Sequence, residues 1–272
     1  MNKLSKYKLN SGHEIPVIGL GTYLANPGES AYHAVRFALE NGYRQIDTAA
    51  FYQNEEDVGR AVRDSKIPRE EIFVTTKLWN ADQGYETSLR AFDVSMRKLN
   101  IDYIDLYLIH WPQTETRMKS WKGLEKIFQN GDAKSIGVSN YTINHLEEMK
   151  GYDVLPAINQ VEFHVYLYQK ELLNYCKERN IYIQAYSPLV RGRKFKKNQM
   201  NEIAEKYGKT PAQIMLKWTI DVGTISLPKS VTESRIIENI DLFDFEFSSE
   251  DREYLDTLNE NYRIAWDPSK ID

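Results

Sequence analysis

Four ionisable residues, Asp47, Tyr52, Lys77 and His110, stand at or just beyond the ends of short apolar segments. Residues 45–47, 72–77 and 104–110 each read as a buried strand that finishes in a charge, and Tyr52 follows the first of them. In a closed parallel barrel the strand ends converge on one rim, so these residues would meet around a single pocket. A tyrosine ordinarily titrates near about 10 and gives up its proton sluggishly at neutral pH; a buried ammonium at Lys77 would stabilise the phenolate and lower that value. Asp47 as counter-ion would keep Lys77 charged, and a neutral His110 could hydrogen-bond a substrate oxygen and turn it towards Tyr52. Spacing alone equally allows a structural ion pair at the rim, a half-buried loop tyrosine and a satisfied core imidazole.

Around these residues, strand-like segments near Val17, Gln45, Ile72, Tyr103, Ala133, Ala157, Ile181 and Thr224 alternate with segments of helical apolar spacing. Val35, Ala38, Leu39 and Gly42 fall at i, i+3, i+4, i+7; Val58, Ala61 and Val62 repeat the pattern; Leu89, Phe92, Met96 and Leu99 extend it over three turns. About eight strand and helix pairs result, which predicts an α/β protein with a (β/α)8 TIM barrel rather than an open sheet. Before the first pair, Tyr7-Lys8-Leu9 and Glu14-Ile15-Pro16 flank a Ser-Gly turn and predict an N-terminal β-hairpin capping one end of the barrel. The acids Glu55, Glu56 and Asp57 after Asn54 read as helix-start electrostatics, and Ser248 with Asp251 resembles a capping box.

A chain of 272 residues is long enough for two average domains, yet one barrel of about 250 residues accounts for it, and residues 1–272 are read as one domain. With 42% apolar and 27% charged residues it has the balance of a compact globular protein. A net charge of −4 argues against nucleic acid or an anionic membrane as partner, the one basic cluster at residues 191–197 being short. No apolar run approaches the roughly 20 residues of a membrane span. Cys176 stands alone and reads as a core residue, so a cytoplasmic location is the simplest expectation. The five histidines are scattered and no ligand motif is present, so no metal is expected; His13 and His33 read as superficial, His145 as helical and His164 as a hydrogen-bonded barrel-end residue. Gly19-Leu20-Gly21 stops short of a dinucleotide fingerprint.

Asp47-Thr48-Ala49-Ala50-Phe51-Tyr52-Gln53-Asn54-Glu55, Lys77-Leu78-Trp79, His110-Trp111-Pro112 and Gly137-Val138-Ser139-Asn140 resemble, in order, the motifs of the aldo-keto reductases. The likeness runs from Gly19-Leu20-Gly21-Thr22 to Leu227-Pro228-Lys229-Ser230 and is nearest the bacterial diketogluconate reductase-like members. It implies an NADPH-dependent oxidoreductase that reduces aldehydes or ketones by direct hydride transfer. Tyr52 would be the proton donor, tuned by Lys77 and Asp47, with His110 positioning the carbonyl. It also implies that Ser139, Asn140 and Gln160 hold the nicotinamide carboxamide and that the Tyr186 ring stacks on it. Gly21, Thr22, Asp47, Ser187, Leu189 and Arg191 would complete the cofactor groove. Lys229, Ser230, Arg235, Glu238 and Asn239 resemble the family's adenosine pocket, where two cations suit the ribose phosphate that NADPH has and NADH lacks; NADPH is favoured, with NADH the lesser option.

A small carbonyl compound would be the partner, in a monomer, with Tyr23, Trp79, His110, Trp111 and Trp266 lining its pocket. The loop after His110-Trp111-Pro112 is short, from Gln113 to helical sequence resuming at Met118, which suggests an open pocket. Val190 stands where the family commonly has glycine and Val165 where it has proline, and the tail of residues 261–272 is short. Two other readings remain: a nicotinamide-binding regulatory protein that senses redox state, and a barrel enzyme acting on phosphorylated substrates.

Overall fold

The computed structural model describes residues 1–195 and 198–271. Lys196 and Lys197 of the basic cluster, and Asp272 at the end of the tail, lie outside the described residues. The chain opens with an antiparallel hairpin, β1 (Lys6–Lys8) and β2 (Glu14–Pro16), turned by Gly12 at φ 88°. Eight parallel strands follow: β3 (Leu20–Gly21), β4 (Gln45–Asp47), β5 (Phe73–Leu78), β6 (Ile104–Ile109), β7 (Ala133–Ser139), β8 (Ile158–Glu162), β9 (Tyr182–Tyr186) and β10 (Ile225–Leu227). Each pairs with the next in sequence. Parallel bridges from Ile18 to Ser226 and from Gly21 to Lys229 bring the first strand against the last, so the sheet forms a nearly closed TIM-like barrel.

Ten helices, α1 (Glu29–Glu40), α2 (Glu55–Asp64), α3 (Tyr85–Leu99), α4 (Arg117–Asn130), α5 (Ile143–Glu147), α6 (Lys170–Glu178), α7 (Asn198–Tyr207), α8 (Pro211–Asp221), α9 (Glu233–Ile240) and α10 (Ser249–Thr257), are found among the described residues. Their apolar stripes, such as Val35, Ala38 and Leu39 of α1 and Trp121 and Leu124 of α4, are buried in the main core. The hairpin closes the end of the barrel away from the four ionisable residues. Leu9 and Ile15 pack against Phe73, Leu106, Ile158 and Ile225, which lie towards the starts of their strands. One end is thereby sealed by apolar contact, and the C-terminal rim is left to carry polar groups.

Alternation along the strands sets which residues reach the interior. Asp47, Lys77, Gln160 and Tyr186 all fall on the inward phase. Gly137, in phase with Ser139 on β7, faces the Leu108 side chain so closely that a Cβ would meet its Cδ2 at 2.8 Å. Details of the helix starts differ from the sequence pattern. Glu55, Glu56 and Asp57 do stand in the first turn of α2, but Glu55 is also buried and accepts from Thr76 Oγ1 at 2.7 Å. Asn54 does not cap α2; its amide donates to Thr22 O and Ala25 O, tying the loops after β3 and β4 together. Ser248 caps α10 by accepting from the Asp251 N–H, but its own N–H donates to Tyr207 OH, so the reciprocal half of a capping box is supplied from α7.

Candidate active site

Asp47 ends β4, Lys77 is the penultimate residue of β5, His110 lies one residue past β6, and Tyr52 closes a 3-10 turn, Ala50–Tyr52. The structure brings all four together. Lys77 Nζ, fully buried, donates to Asp47 Oδ1 at 2.6 Å and to Thr48 O at 2.8 Å, and lies 3.3 Å from Tyr52 OH. The other Asp47 oxygen accepts from Gln160 Nε2 at 2.7 Å. An ammonium with two acceptor-only neighbours can spend its third proton on the tyrosine oxygen, which leaves the phenolic proton free to point elsewhere.

Burial pushes the Asp47 carboxyl above, and the Lys77 ammonium below, their ordinary values, and their 2.6 Å contact opposes both shifts. Tyr52 behaves differently from the sequence expectation. Its phenol is pushed well above the ordinary tyrosine value, first by burial and then by the Asp47 carboxylate, so the lowering expected from Lys77 does not prevail. The group is held as the protonated phenol, the form that can donate. Burial, followed by the Lys77 charge, holds His110 well below the ordinary histidine value, so its ring is neutral at pH 7. His110 Nδ1 is buried without a partner. An unpaired acceptor is tolerated better than an unpaired N–H, which favours the tautomer with its proton on Nε2, towards the cavity that His110 lines.

That cavity has a volume of about 1010 Å³ and runs across the C-terminal rim. Its wall includes Tyr23, Asp47, Tyr52, Trp79, His110, Trp111, Ser139, Asn140, Gln160, Tyr186, Ser187, Leu189 and Arg191, continuing to Gly21, Lys229, Ser230, Arg235, Glu238, Asn239 and Trp266. Two residues expected at the site are not in the wall. Lys77 lies behind Asp47 and Tyr52. Thr22 is buried and turned away, its N–H and Oγ1 both donating to Asp47 O at 2.9 Å, so it braces the end of β4. Asn140 Nδ2 donates to His110 O at 3.0 Å, and Tyr186 OH donates to Asn140 Oδ1 at 2.8 Å. Tyr186 therefore stands with its ring along the cavity and its hydroxyl tied down.

Half-buried Lys229 and exposed Arg235 have no ion-pair partner among the described residues, and burial alone pulls Lys229 below the ordinary lysine value. The loop of residues 187–192 also lines the cavity. Val190 takes φ 49°, the left-handed conformation that glycine would adopt without cost, while its side chain is fully buried. Arg191, at φ 51°, reaches across to the Tyr23 ring at 5.7 Å. Several wall residues escaped the sequence reading: Leu24, Phe51, Phe195, Ile264 and Ala265. Phe51 stacks on Trp79 at 3.9 Å, and its place directly before Tyr52 was the available signal. His164 is fully buried and within 3.0 Å of Glu162, as a barrel-end residue. Among the described residues no cluster of three or more His, Cys, Asp or Glu could hold a metal, and no helix is long and apolar enough to cross a membrane.

Comparison with known proteins agrees with this architecture. The family model described as Aldo/keto reductase family matches residues 17–260. Glyoxal reductase of Bacillus subtilis is 47% identical over 265 residues, covering 97% of this chain and 96% of that protein. The crystal structure of an aldo-keto reductase enzyme from a Medee basin deep-sea metagenome library superposes with a TM-score of 0.95 at 45% identity, covering 98% of this chain and 99% of the other. A Bombyx mori aldo-keto reductase in complex with NADP superposes with a TM-score of 0.88 at 37% identity, over 95% of this chain and 94% of the other. The chain therefore belongs to the aldo/keto reductase family.

Proposed function

We propose that the protein, acting through residues 1–272 as one domain, reduces aldehydes or ketones to alcohols with NADPH, with Tyr52 as the proton donor. The observation that carries this reading is the contact of Lys77 Nζ with Asp47 and Tyr52, beneath a cavity that the neutral His110 also faces. The residues present fit a dinucleotide. Lys229 and Arg235 are cations without carboxylate partners among the described residues, where a phosphate would sit, and Tyr186 offers a braced ring where a flat heterocycle would lie. Ser139, Asn140 and Gln160 would hold its carboxamide; Gly21, Ser187, Leu189, Arg191, Ser230, Glu238 and Asn239 would line its path. When bound, NADPH supplies the hydride.

The chain's own groups do the rest. His110 Nε2–H holds the carbonyl oxygen and orients it, and the Tyr52 phenol, kept protonated by burial, donates its proton to that oxygen as negative charge develops. Lys77 then stabilises the tyrosinate, and Asp47 keeps Lys77 charged. Tyr23, Trp79, Trp111 and Trp266 form the apolar wall that excludes water around the reacting carbon. The relative named glyoxal reductase supports small dicarbonyls among the substrates.

The test is NADPH oxidation with a panel of aldehydes and ketones, native protein against Tyr52→Phe, repeated with NADH. Loss of about 10²- to 10⁴-fold in kcat with NADPH binding retained is the expected outcome. Binding of NADPH without turnover by the native protein, on a broad panel, would instead favour a redox-sensing role.

A further inference from the structure

Residues 259–267 cross the segment that follows β8. Glu260 N and Tyr262 N both donate to Tyr166 O, at 3.1 and 2.9 Å, and Tyr168 N donates to Asn259 Oδ1 at 3.1 Å. The contact ends on Glu162, the last residue of β8. Its two carboxylate oxygens take one tail amide each: Ile264 N donates to Oε1 and Ala265 N to Oε2, both at 2.8 Å. His164 Nε2 stands 3.0 Å from Oε1. Glu162 is fully buried and lies outside the cavity wall, whereas Ile264, Ala265 and Trp266 form part of it. Trp266, otherwise 69% exposed, leans on Trp111 at 5.6 Å between ring centres.

A carboxylate inside a barrel is costly unless each oxygen finds a donor, and here two of the donors belong to the tail's own backbone. Burial alone would raise the Glu162 carboxyl, but His164 and the Ala265 and Ile264 N–H groups outweigh it and hold it below the usual carboxylate range. On β8 the residue is in phase with Gln160, which reaches Asp47, and it is paired in register with Tyr186. One rigid strand therefore carries both a contact to the Asp47–Lys77 pair and the anchor of the tail.

We propose that Glu162 is a positioning residue for substrate: by clamping the Ile264 and Ala265 amides it sets where Ile264 and Trp266 stand over the cavity, and so governs recognition of large carbonyl compounds without touching them. This rests on the carbonyl-reductase reading. A small dicarbonyl reaches Tyr52 and His110 without needing the tail, whereas an aryl ketone must also find the Ile264 and Trp266 wall.

The test is Glu162→Gln, isosteric but able to accept from only one of the two amides. The KM for an aryl ketone should rise about tenfold, the effect of losing one charge-assisted hydrogen bond. Turnover of methylglyoxal should stay within about twofold, and the Ile264 and Ala265 amides should exchange their hydrogens at least about tenfold faster. In a Trp266→Ala background the Glu162→Gln effect on the aryl ketone should largely disappear, because both changes act through one wall. Ala265→Pro changes only the tail and removes the donor to Glu162 Oε2, so the same split between substrates is expected if Glu162→Gln folds poorly. Equal losses for both substrates, an unchanged aryl-ketone KM, or strictly additive double variants would overturn the clamp. A native protein that reduces neither carbonyl defeats the functional reading instead, and amide exchange still decides whether Glu162 holds the tail.

Discussion

The two ends of the cavity satisfy their charges in opposite ways. Under Tyr52, Lys77 is enclosed by Asp47 at 2.6 Å and Thr48 O at 2.8 Å, and Gln160 takes the remaining Asp47 oxygen. At the far end Lys229 and Arg235 share the wall with no ion-pair partner among the described residues, and burial lowers Lys229 with no carboxylate to offset it. A closed cluster holds its charge with no help from a ligand and can act on whatever enters. An open one gains from an arriving anion. Under the proposed function, residues of the same charge type thus divide into a reacting half and a holding half.

Breaking the closed cluster should have the largest effect. Lys77→Met leaves Asp47 buried without its cation, at a cost of about 3–5 kcal/mol in urea unfolding, and kcat should fall by about 10²- to 10⁴-fold. Adding Asp47→Asn should restore much of the stability, since a neutral pair carries no stranded charge, while the rate stays low. Recovery of rate together with stability would mean that the cluster is structural. The open end should respond in another way. Lys229→Met should raise the KM for NADPH by roughly ten- to a hundredfold, the worth of one charge-assisted contact, with kcat at saturation far less affected. Steady-state kinetics with NADH should show a much smaller shift, because NADH lacks the ribose phosphate. Equal shifts for both cofactors would place Lys229 elsewhere than on that phosphate.

The same division marks what the sequence made legible. Asp47, Tyr52, Lys77 and His110 could be gathered at one rim because strand ends of a parallel barrel converge, but their roles, and the places of Gln160 and Tyr186, came from the resemblance to the aldo-keto reductase motifs. Burial depth could not be read. Lys77 beside Tyr52 promised a lowered phenol, yet burial and the Asp47 charge outweigh it, and neither is visible before the chain folds. Thr22 shows the same limit, since its place in a motif said nothing of its hydroxyl turning to Asp47 O. Glu55 does stand in the first turn of α2, as read, but its burial against Thr76 could not be seen. Trp266 was read into the pocket, but how the tail is held was illegible, because that depends on backbone contacts to Glu162 and backbone donors carry no sequence mark.

A smaller effect separates His110 from an ordinary surface histidine. Its folded pKa lies below the unfolded value of about 6.5, so the unfolded chain binds a proton that the folded chain refuses. Stability is therefore full above about pH 6.5 and is lost as pH falls, by at most about 1.4 kcal/mol per pH unit from this one group. His110→Asn should flatten the acid side of a Tm-against-pH curve between about pH 6.5 and 5. In the native protein kcat should show no inflexion near pH 6.5, because the ring is already neutral there.

The smallest effect concerns Val190, on the loop of residues 187–192 that lines the cavity. Its left-handed backbone costs about 1–2 kcal/mol, which Val190→Gly would relieve. Against that gain stand the lost burial of a fully enclosed side chain, about 1.5–3 kcal/mol, and the added freedom of glycine in the unfolded chain, about 0.5–1 kcal/mol. The net loss should be about 1–2 kcal/mol. Val138→Gly, equally buried on β7 but without a positive φ, has no strain to release and should lose about 2–4 kcal/mol. Denaturant unfolding of the two variants side by side measures the difference. A Val190 loss as large as that at Val138 would mean that the loop relaxes its backbone at no cost, and that the left-handed turn is not what limits which residue stands there.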